Sequence, residues 1–206
     1  MSRLLLVRHG ETMLNSSIRF WGDTDVELGD TGIKQAEQVR DRLATERIDT
    51  IYSSDMSRAS VTAGIIASRH QAAVTICPEL HEINFGKVEG FTFEEISKAY
   101  PELASTWYDQ GINLTFPGGE SLADVNDRVI KFIERLHNHD EKETVLVVAH
   151  AASLRLLVCR LMGIDTNHWR QLRLDLASLS ILHTYPEITL MSLFNDTSHL
   201  KDLKGD

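Results

Sequence analysis

Two histidines closely follow the two most apolar short runs of the sequence. His9 comes just after residues 4–7, and His150 comes directly after residues 144–149. Short apolar runs with abrupt polar ends are typical of strands that are buried on both faces. In an open parallel sheet, ligands bind outside the carboxyl ends of the strands. The pattern therefore predicts a site at one sheet edge, where two imidazoles arrive from separate strands.

Two arginines are expected at the same edge. Arg8 precedes His9, and Arg58 lies at the start of the helix predicted after residues 50–53. A cation early in a helix opposes the helix dipole, so this position is better explained if the guanidinium faces an anion. Arginine stays charged and presents a planar fork of donors that suits phosphate. Each residue alone would be an ordinary surface or core residue, so the prediction rests on their coincidence at one edge.

The elements around these residues alternate between strands and helices. Apolar residues recur at intervals of three and four between the apolar runs, and Ser121 with Asp124 forms a helix-start signal. Strands are predicted at residues 4–7, 50–53, 74–77, 144–149, 178–184 and 188–194, and helices at 33–43, 57–69, 122–136 and 153–162. This alternation predicts an α/β fold, a three-layer α/β/α sandwich with a mostly parallel central sheet.

The domain organisation is expected to be simple. The sequence shows no linker, repeat or low-complexity segment, so residues 1–206 are predicted to form a single domain. Residues 91–118 interrupt the alternation with aromatic residues and prolines, and we expect them to form a helical excursion over the active site.

Composition and charge narrow the partners and the compartment. The formal net charge of −9 disfavours nucleic acid and anionic membranes as partners. The apolar run at the N-terminus is too short for a signal peptide or a membrane span, which predicts a cytoplasmic protein. Cys77 and Cys159 have no metal or redox spacing and are expected to be buried thiols.

A longer pattern extends from the two histidines along most of the chain. In chain order its blocks are residues 8–15, then Gly22, Asp25, Leu28, Gly32, Gln35 and Ala36, then residues 52–54 with Arg58, then Glu82, residues 85–86, 89–90 and 95–96, then residues 118–121, and finally His150. In this order and spacing the chain resembles the histidine phosphatase superfamily, also called the phosphoglycerate-mutase-like family. The resemblance covers residues 3 to 162 most clearly and favours the compact phosphatase branch.

The resemblance implies a role for each matching residue. His9 corresponds to the histidine that accepts the phosphoryl group, and Glu82 to the acid that protonates the leaving oxygen. Contacts to the phosphoryl group or the substrate are implied for Arg8, Asn15, Gly22, Arg58, His150 and Ala151. The family uses no metal, so neither a metal nor a cofactor is expected. Two arginines and a histidine can neutralise a dianionic ester, and neutral imidazole is a competent nucleophile.

The sequence departs from the family pattern at two places. His150 lies between Ala149 and Ala151, where Ser-His-Gly is common, and Gly29 stands where a helix commonly begins with Thr or Ser. We expect the first change to affect the fine geometry of the site and the second to have little effect, since glycine also serves as an N-cap. Contact with the leaving group is left open for Arg19, Trp21, His81 and Trp107.

These observations favour a phosphatase that hydrolyses a small-molecule phosphate monoester through a phosphohistidine on His9. One alternative is cofactor-dependent transfer of the phosphoglycerate mutase type, and another is a non-catalytic domain that binds phosphate esters. Mutases of the family carry extra segments over the site, and an inactive relative would have lost His9, Glu82 or an arginine. Candidate substrates are α-ribazole 5'-phosphate, phosphoserine and phosphoglycerate-type esters. The oligomeric state stays open, a homodimer included.

Overall fold

The computed structural model describes residues 2–14, 19–107 and 111–203. Within them one sheet contains six strands, which are β1 (Arg3–Arg8), β2 (Thr50–Ser53), β3 (Val74–Ile76), β4 (Thr144–Ala149), β5 (Leu179–Thr184) and β6 (Thr189–Asp196). Their order across the sheet is β3-β2-β4-β1-β5-β6. The first four strands are parallel, and β5 and β6 are antiparallel additions at one side. The predicted mostly parallel sheet is confirmed.

Strands β1 and β4 lie at the centre, as their apolar sequences require. All six residues of β4 are buried, because both faces of this strand are covered. The two strands pair in parallel with Leu4 opposite Val145 and Arg8 opposite Ala149. This register brings their carboxyl ends level, so the residues that follow each strand emerge side by side.

Helices cover both faces of the sheet. In chain order they are α1 (Asp30–Leu43), α2 (Ser57–Ala67), α3 (Phe93–Ala99), α4 (Pro101–Ser105), α5 (Leu122–Leu136) and α6 (Ala151–Met162). Leu5 packs in one core cluster with Val39 of α1 and Ile66 of α2. Leu4 packs in the other, with Phe132 of α5 and Leu156 of α6. Because alternate residues of a strand face opposite sides, two cores form and the three-layer sandwich is confirmed.

Two helix starts matter for the site. Helix α5 begins with the predicted capping box, in which the Ser121 side chain accepts from the Asp124 amide and the Asp124 carboxylate accepts from the Ser121 amide. The predicted start of α6 at Ser153 is wrong, since the helix begins at Ala151 with His150 as its N-cap. The chain passes from β4 into α6 without a loop, so the first free amides of α6 lie directly at the sheet edge.

Residues 91–118 contain α3, α4 and a short 3-10 helix at Gly111–Asn113. Trp107 and Phe116 from this segment are buried. Both cysteines are buried and unpaired, as predicted. In the part of the chain that the structure describes, no helix is long and apolar enough to cross a membrane.

Candidate active site

The two predicted histidines meet at the carboxyl edge of the sheet. The ring centroids of His9 and His150 are 5.1 Å apart, and the ring planes are inclined at 56°. Both side chains are buried, with 4% and 0% of their surfaces exposed. We call the group formed by Arg8, His9, Arg58, Glu82 and His150 the strand-end pocket.

The hydrogen bond of His9 determines which ring nitrogen carries the proton. Its Nδ1 lies 2.7 Å from the carbonyl oxygen of Gly10. A carbonyl can only accept, so Nδ1 carries the hydrogen and Nε2 keeps its lone pair. Burial, and then the charges of Arg8 and Arg58, hold the pKa of His9 well below its usual value. The imidazole is therefore neutral near pH 7 and has a basic nitrogen available.

His150 has the opposite tautomer. The Nε of Arg58 donates to Nδ1 of His150 over 3.3 Å, so the hydrogen of this imidazole is on Nε2. That nitrogen lies 2.8 Å from the hydroxyl oxygen of Ser54. Burial, together with the neighbouring His9 and Arg58, holds the pKa of His150 well below its usual value. In this neutral state both ring nitrogens are hydrogen-bonded to the protein, and the ring brings no charge to the pocket.

Arg58 is held by backbone carbonyls. Its two Nη atoms donate to the carbonyl of Gly22 over 2.7 Å and to that of Thr24 over 3.0 Å. Only 2% of its surface is exposed, and burial lowers its pKa. At Gly22 a Cβ would lie 1.8 Å from the carbonyl oxygen of Ile83, so no larger residue fits the loop that holds the guanidinium. Gly22 thus acts on the pocket indirectly, because its carbonyl holds the Arg58 guanidinium.

Arg8 comes from the end of β1. Its Nη1 donates to the carbonyl of Leu174 over 2.7 Å. Its Nε is buried and has no hydrogen-bond partner among the described residues. Burial lowers the pKa of Arg8 to about 10, while Glu82 acts in the opposite direction. Because that value is still far above 7, the guanidinium stays charged and can bind an anion.

Glu82 lies against the N-terminus of α6. Its carboxylate accepts from the amide of Ala151 over 3.0 Å, from that of Ala152 over 3.1 Å and from its own neighbour Ile83 over 3.1 Å. The first amides of a helix have no partner within the helix and attract anions. Glu82 and the Ala151 amide, both predicted site residues, are therefore in contact.

Arg128 was not found by sequence reasoning, yet it supports Glu82. From α5 it donates to the carbonyl of His81 over 2.9 Å and to the Glu120 carboxylate over 2.9 Å. The Glu120 carboxylate also accepts from the amide of Asn84, at 3.0 Å. These bonds fix the loop on both sides of Glu82, and no local pattern at Arg128 indicates them.

A cavity of about 620 Å³ opens beside the strand-end pocket and includes Arg8, Glu82 and Ala151 in its lining. The aromatic residues of the lining, here called the aromatic wall, are Phe20, Trp21, Phe85, Trp107, Phe116 and Trp169. Arg19, Arg155 and Arg170 also line the cavity. Sequence reasoning considered Arg19, Trp21 and Trp107 but missed Trp169 and both later arginines.

His81, for which contact was left open, and Asn15, a predicted contact, have different outcomes. His81 does not line this cavity, and its ring nitrogens lie 2.8 Å from Asp55 and 3.2 Å from Asp23. Asn15 lies outside the described residues. Across residues 2–14, 19–107 and 111–203, no three His, Cys, Asp or Glu residues are grouped so that they could hold a metal ion.

The arrangement has the parts that phosphoryl transfer needs. A neutral imidazole with a free lone pair lies near two guanidinium groups, and the buried Glu82 carboxylate lines the adjoining cavity. Phosphoryl transfer depends mainly on positioning and on stabilising the charge of the phosphoryl oxygens. The family model of the histidine phosphatase superfamily, branch 1, matches residues 4–197. The chain belongs to this superfamily.

Individual relatives agree with this family assignment. The histidine phosphatase is 35% identical over 200 residues to phosphoserine phosphatase 1 of Hydrogenobacter thermophilus, which covers 97% of this chain and 95% of the relative. It is 32% identical to a metal-independent phosphoserine phosphatase of Arabidopsis thaliana, over 98% and 84% of the two chains. The solved α-ribazole phosphatase of Shigella flexneri superimposes with a TM-score of 0.86 at 29% identity, over 94% and 96%.

Proposed function

We propose that this histidine phosphatase hydrolyses small phosphate monoesters through a phosphohistidine formed on His9. The observation that carries the proposal is the state of the His9 imidazole. It is neutral, its Nδ1 hydrogen is held by Gly10, and its Nε2 lone pair is free to attack phosphorus. The hydrogen bond from Nδ1 to the Gly10 carbonyl also orients the His9 ring, because it limits rotation of the imidazole.

The charge of the phosphoryl group is balanced by the protein itself. Arg8 and Arg58 supply two positive charges. His150 supplies a hydrogen-bond donor when its Nε2–H exchanges the Ser54 hydroxyl for a phosphoryl oxygen. Arg58 is held by two carbonyls, so little reorganisation is needed when the ester binds. We therefore propose that no metal or cofactor takes part. Asn15 is proposed as a further donor on the strength of the resemblance alone.

Glu82 is proposed as the general acid and base. The His9 Nε2–P bond forms as the P–O bond to the leaving group breaks, and Glu82 gives its proton to the leaving oxygen. Its carboxylate then takes a proton from the water that attacks phosphohistidine, which releases phosphate and restores His9. The Ala151 amide donates to Glu82 in this structure, and we propose that a phosphoryl oxygen accepts from this amide when the ester binds. Binding of the ester would thus remove one of the amide donors of Glu82 and leave that carboxylate oxygen available to the leaving oxygen.

The wider biological setting is also proposed. We infer that residues 1–206 form a single domain and that residues 91–118 lie over the active site, since Trp107 and Phe116 line the cavity. We infer a cytoplasmic enzyme whose partner is a small phosphate ester. The net charge of −9 supports the view that neither nucleic acid nor an anionic membrane is bound.

The central test is to trap the phosphoenzyme. After rapid quenching with labelled substrate, we expect a phosphoprotein that is labile in acid and stable in base, as a phosphoramidate is. His9→Ala should remove both the label and the turnover, while His137→Ala, at an exposed histidine at the end of α5, should keep both. An acid-stable label, or a label that persists in His9→Ala, would contradict the proposal.

A product assay separates hydrolysis from mutase-type transfer. With 3-phosphoglycerate, with and without 2,3-bisphosphoglycerate, a phosphatase releases inorganic phosphate faster than it forms the 2-phospho isomer. If the 2-phospho isomer forms faster than phosphate is released, the phosphatase proposal is wrong and the chain acts as a mutase. Exhaustive treatment with EDTA should leave the rate unchanged, and a loss that is reversed by a divalent ion would contradict the metal-independent mechanism.

A further inference from the structure

The hydroxyl of Ser54 uses all the hydrogen-bonding capacity that a serine side chain has. A hydroxyl has one hydrogen to donate and two lone pairs that accept. Ser54 Oγ accepts from the Met56 amide over 3.3 Å and donates to the Asp55 carboxylate over 3.3 Å. Its remaining lone pair faces Nε2 of His150, at 2.8 Å. Ser54 is fully buried, so these three partners define how its hydroxyl is oriented.

Asp55 determines the direction in which this hydroxyl donates. Burial raises the pKa of Asp55, but hydrogen bonds, first that of His81, outweigh burial and hold the pKa below its usual value. The carboxylate is therefore ionised near pH 7 and can only accept. His81 donates from Nδ1 to the same carboxylate oxygen over 2.8 Å, which keeps this oxygen beside Ser54. The Ser54 hydrogen thus points to Asp55, and its oxygen offers His150 only a lone pair.

The tautomer of His150 is consequently fixed from both sides of the ring. Arg58 donates to Nδ1 over 3.3 Å, and Ser54 accepts from Nε2 over the shorter distance of 2.8 Å. Without Asp55 the Ser54 hydroxyl is free to turn and donate to Nε2, and the ring hydrogen then moves to Nδ1 at the expense of the longer bond from Arg58. The Nε2 lone pair would then repel a phosphoryl oxygen.

We propose that Asp55 is a positioning residue that acts through the Ser54 hydroxyl and keeps the hydrogen of His150 on Nε2. This inference rests on the proposed function, because it is the phosphoryl group that needs a donor at this nitrogen. Asp55 is not among the residues that line the cavity. Its influence on the reaction therefore passes through Ser54 and His150, and it should be the same for every ester.

The nitrogen chemical shifts of the His150 ring, measured by NMR, show which nitrogen carries the hydrogen. In the wild type without ligand we expect the hydrogen on Nε2. Asp55→Ala should move a measurable fraction of it to Nδ1, whereas Asp140→Ala, at an exposed aspartate between α5 and β4, should leave the shifts unchanged. His150→Gln identifies the signals by their loss. A wild-type ring with its hydrogen on Nδ1, or wild-type shifts in Asp55→Ala, would overturn the inference.

A double-mutant cycle tests whether Asp55 acts through Ser54. Asp55→Ala should lower kcat/KM about 10-fold on alkyl and nitrophenyl phosphates alike, since one hydrogen bond to a charged group contributes about this much. Ser54→Ala removes the hydroxyl that would donate to Nε2, so the addition of Asp55→Ala should cause no further loss. Losses that multiply in the double variant would overturn the inference. So would a loss confined to alkyl esters, because it would mean that Asp55 acts on Glu82 through His81.

The outcomes separate this inference from the proposed function. The nitrogen shifts are measured without turnover. Turnover of esters with unchanged shifts in Asp55→Ala would overturn the inference alone. Changed shifts without turnover of any ester would overturn the proposed function, and with it the role of Asp55. Circular dichroism checks the fold of each variant. If Asp55→Ala does not fold, Asp55→Asn, whose amide accepts less strongly than a carboxylate, should move the hydrogen in the same direction, and unchanged shifts in it would overturn the inference.

Discussion

The strand-end pocket and the aromatic wall border one cavity but are built in different ways. In the pocket, Arg58 and His9 are fixed by backbone carbonyls at the ends of buried strands, at distances between 2.7 and 3.0 Å. In the wall, the aromatic rings are positioned by edge contacts such as that of Phe20 with Trp107, at 5.2 Å between centroids. Hydrogen bonds to backbone carbonyls fix the orientation of a side chain closely, whereas contacts between aromatic rings tolerate small shifts.

This difference indicates that the strand-end pocket and the aromatic wall have separate roles. A reaction at phosphorus is the same for every phosphate monoester, and it requires groups that are positioned closely before the substrate binds. The leaving group differs between esters, and we propose that it faces the aromatic wall, whose side chains come from separate loops and short helices. Changes in the strand-end pocket should therefore affect all substrates, whereas changes in the wall should affect the choice among them.

The largest effect is expected for Glu82→Gln. Turnover of alkyl phosphates should fall by roughly 10²–10⁴-fold, the usual contribution of a positioned acid or base. The loss should be smaller for nitrophenyl phosphate, whose leaving group needs little protonation. Steady-state rates on both ester types provide the measurement. An equal loss on both would mean that Glu82 does not protonate the leaving oxygen.

Gly22→Ala tests whether catalysis depends on the hydrogen bond from Arg58 to the Gly22 carbonyl. A Cβ at this position meets the Ile83 carbonyl at 1.8 Å, so the loop that holds Arg58 must move. A shift of about 1 Å in a catalytic group can lower the rate about 10²-fold, and we expect a loss of this order for every ester. The measurement is kcat/KM on a panel of small esters.

Gly64→Ala is the matched control for this change. Gly64 lies within α2, and a Cβ there meets nothing within 4 Å. It should leave the rates unchanged and raise the free energy of unfolding by about 0.5–1 kcal/mol, because alanine is the better helix former. Normal rates in Gly22→Ala would show that Arg58 does not depend on this loop.

A smaller and more selective effect is expected for Trp21→Leu in the wall. Loss of the indole should raise the KM of nitrophenyl phosphate by up to about tenfold, since a favourable aromatic contact contributes about 0.5–1.5 kcal/mol. The KM of glycerol 3-phosphate and the kcat of both esters should stay the same. An equal fall in kcat on both esters would contradict the separate roles of the strand-end pocket and the aromatic wall.

The last effect concerns stability in mild acid and leaves the choice of substrate unchanged. The pKa values of His9 and His150 are well below 6.5 in the folded protein, whereas the unfolded chain has ordinary values. Above pH 6.5 neither state binds these protons. As the pH falls below 6.5 only the unfolded chain binds them, so stability is lost, by up to about 1.4 kcal/mol per histidine and pH unit.

Denaturant titrations at pH 7 and pH 5.5 measure this loss. His9→Gln removes one of the two groups and should make the pH dependence less steep, while His137→Gln at the exposed end of α5 should leave it as in the wild type. An unchanged slope in His9→Gln would mean that this histidine takes up its proton without unfolding.

The sequence alone determined the sheet and the residues placed at its edge. Fully apolar runs such as residues 144–149 must be buried on both faces, and their carboxyl ends must lie together in a parallel sheet. The positions of His9, His150 and Arg58 followed from this local signal. The start of α6 was misplaced by two residues, because no strong N-cap residue comes before Ala151.

Tertiary structure alone decided how these residues are held and what surrounds them. Glu82 and Ala151 are 69 positions apart, and their hydrogen bond exists only because the loop after β3 lies over the start of α6. The stacking of Arg155 on Trp169 and the support of Glu82 by Arg128 likewise join distant segments. Local patterns report which face of an element is buried. They do not report which side chains from separate elements meet, because such contacts depend on how the whole chain packs.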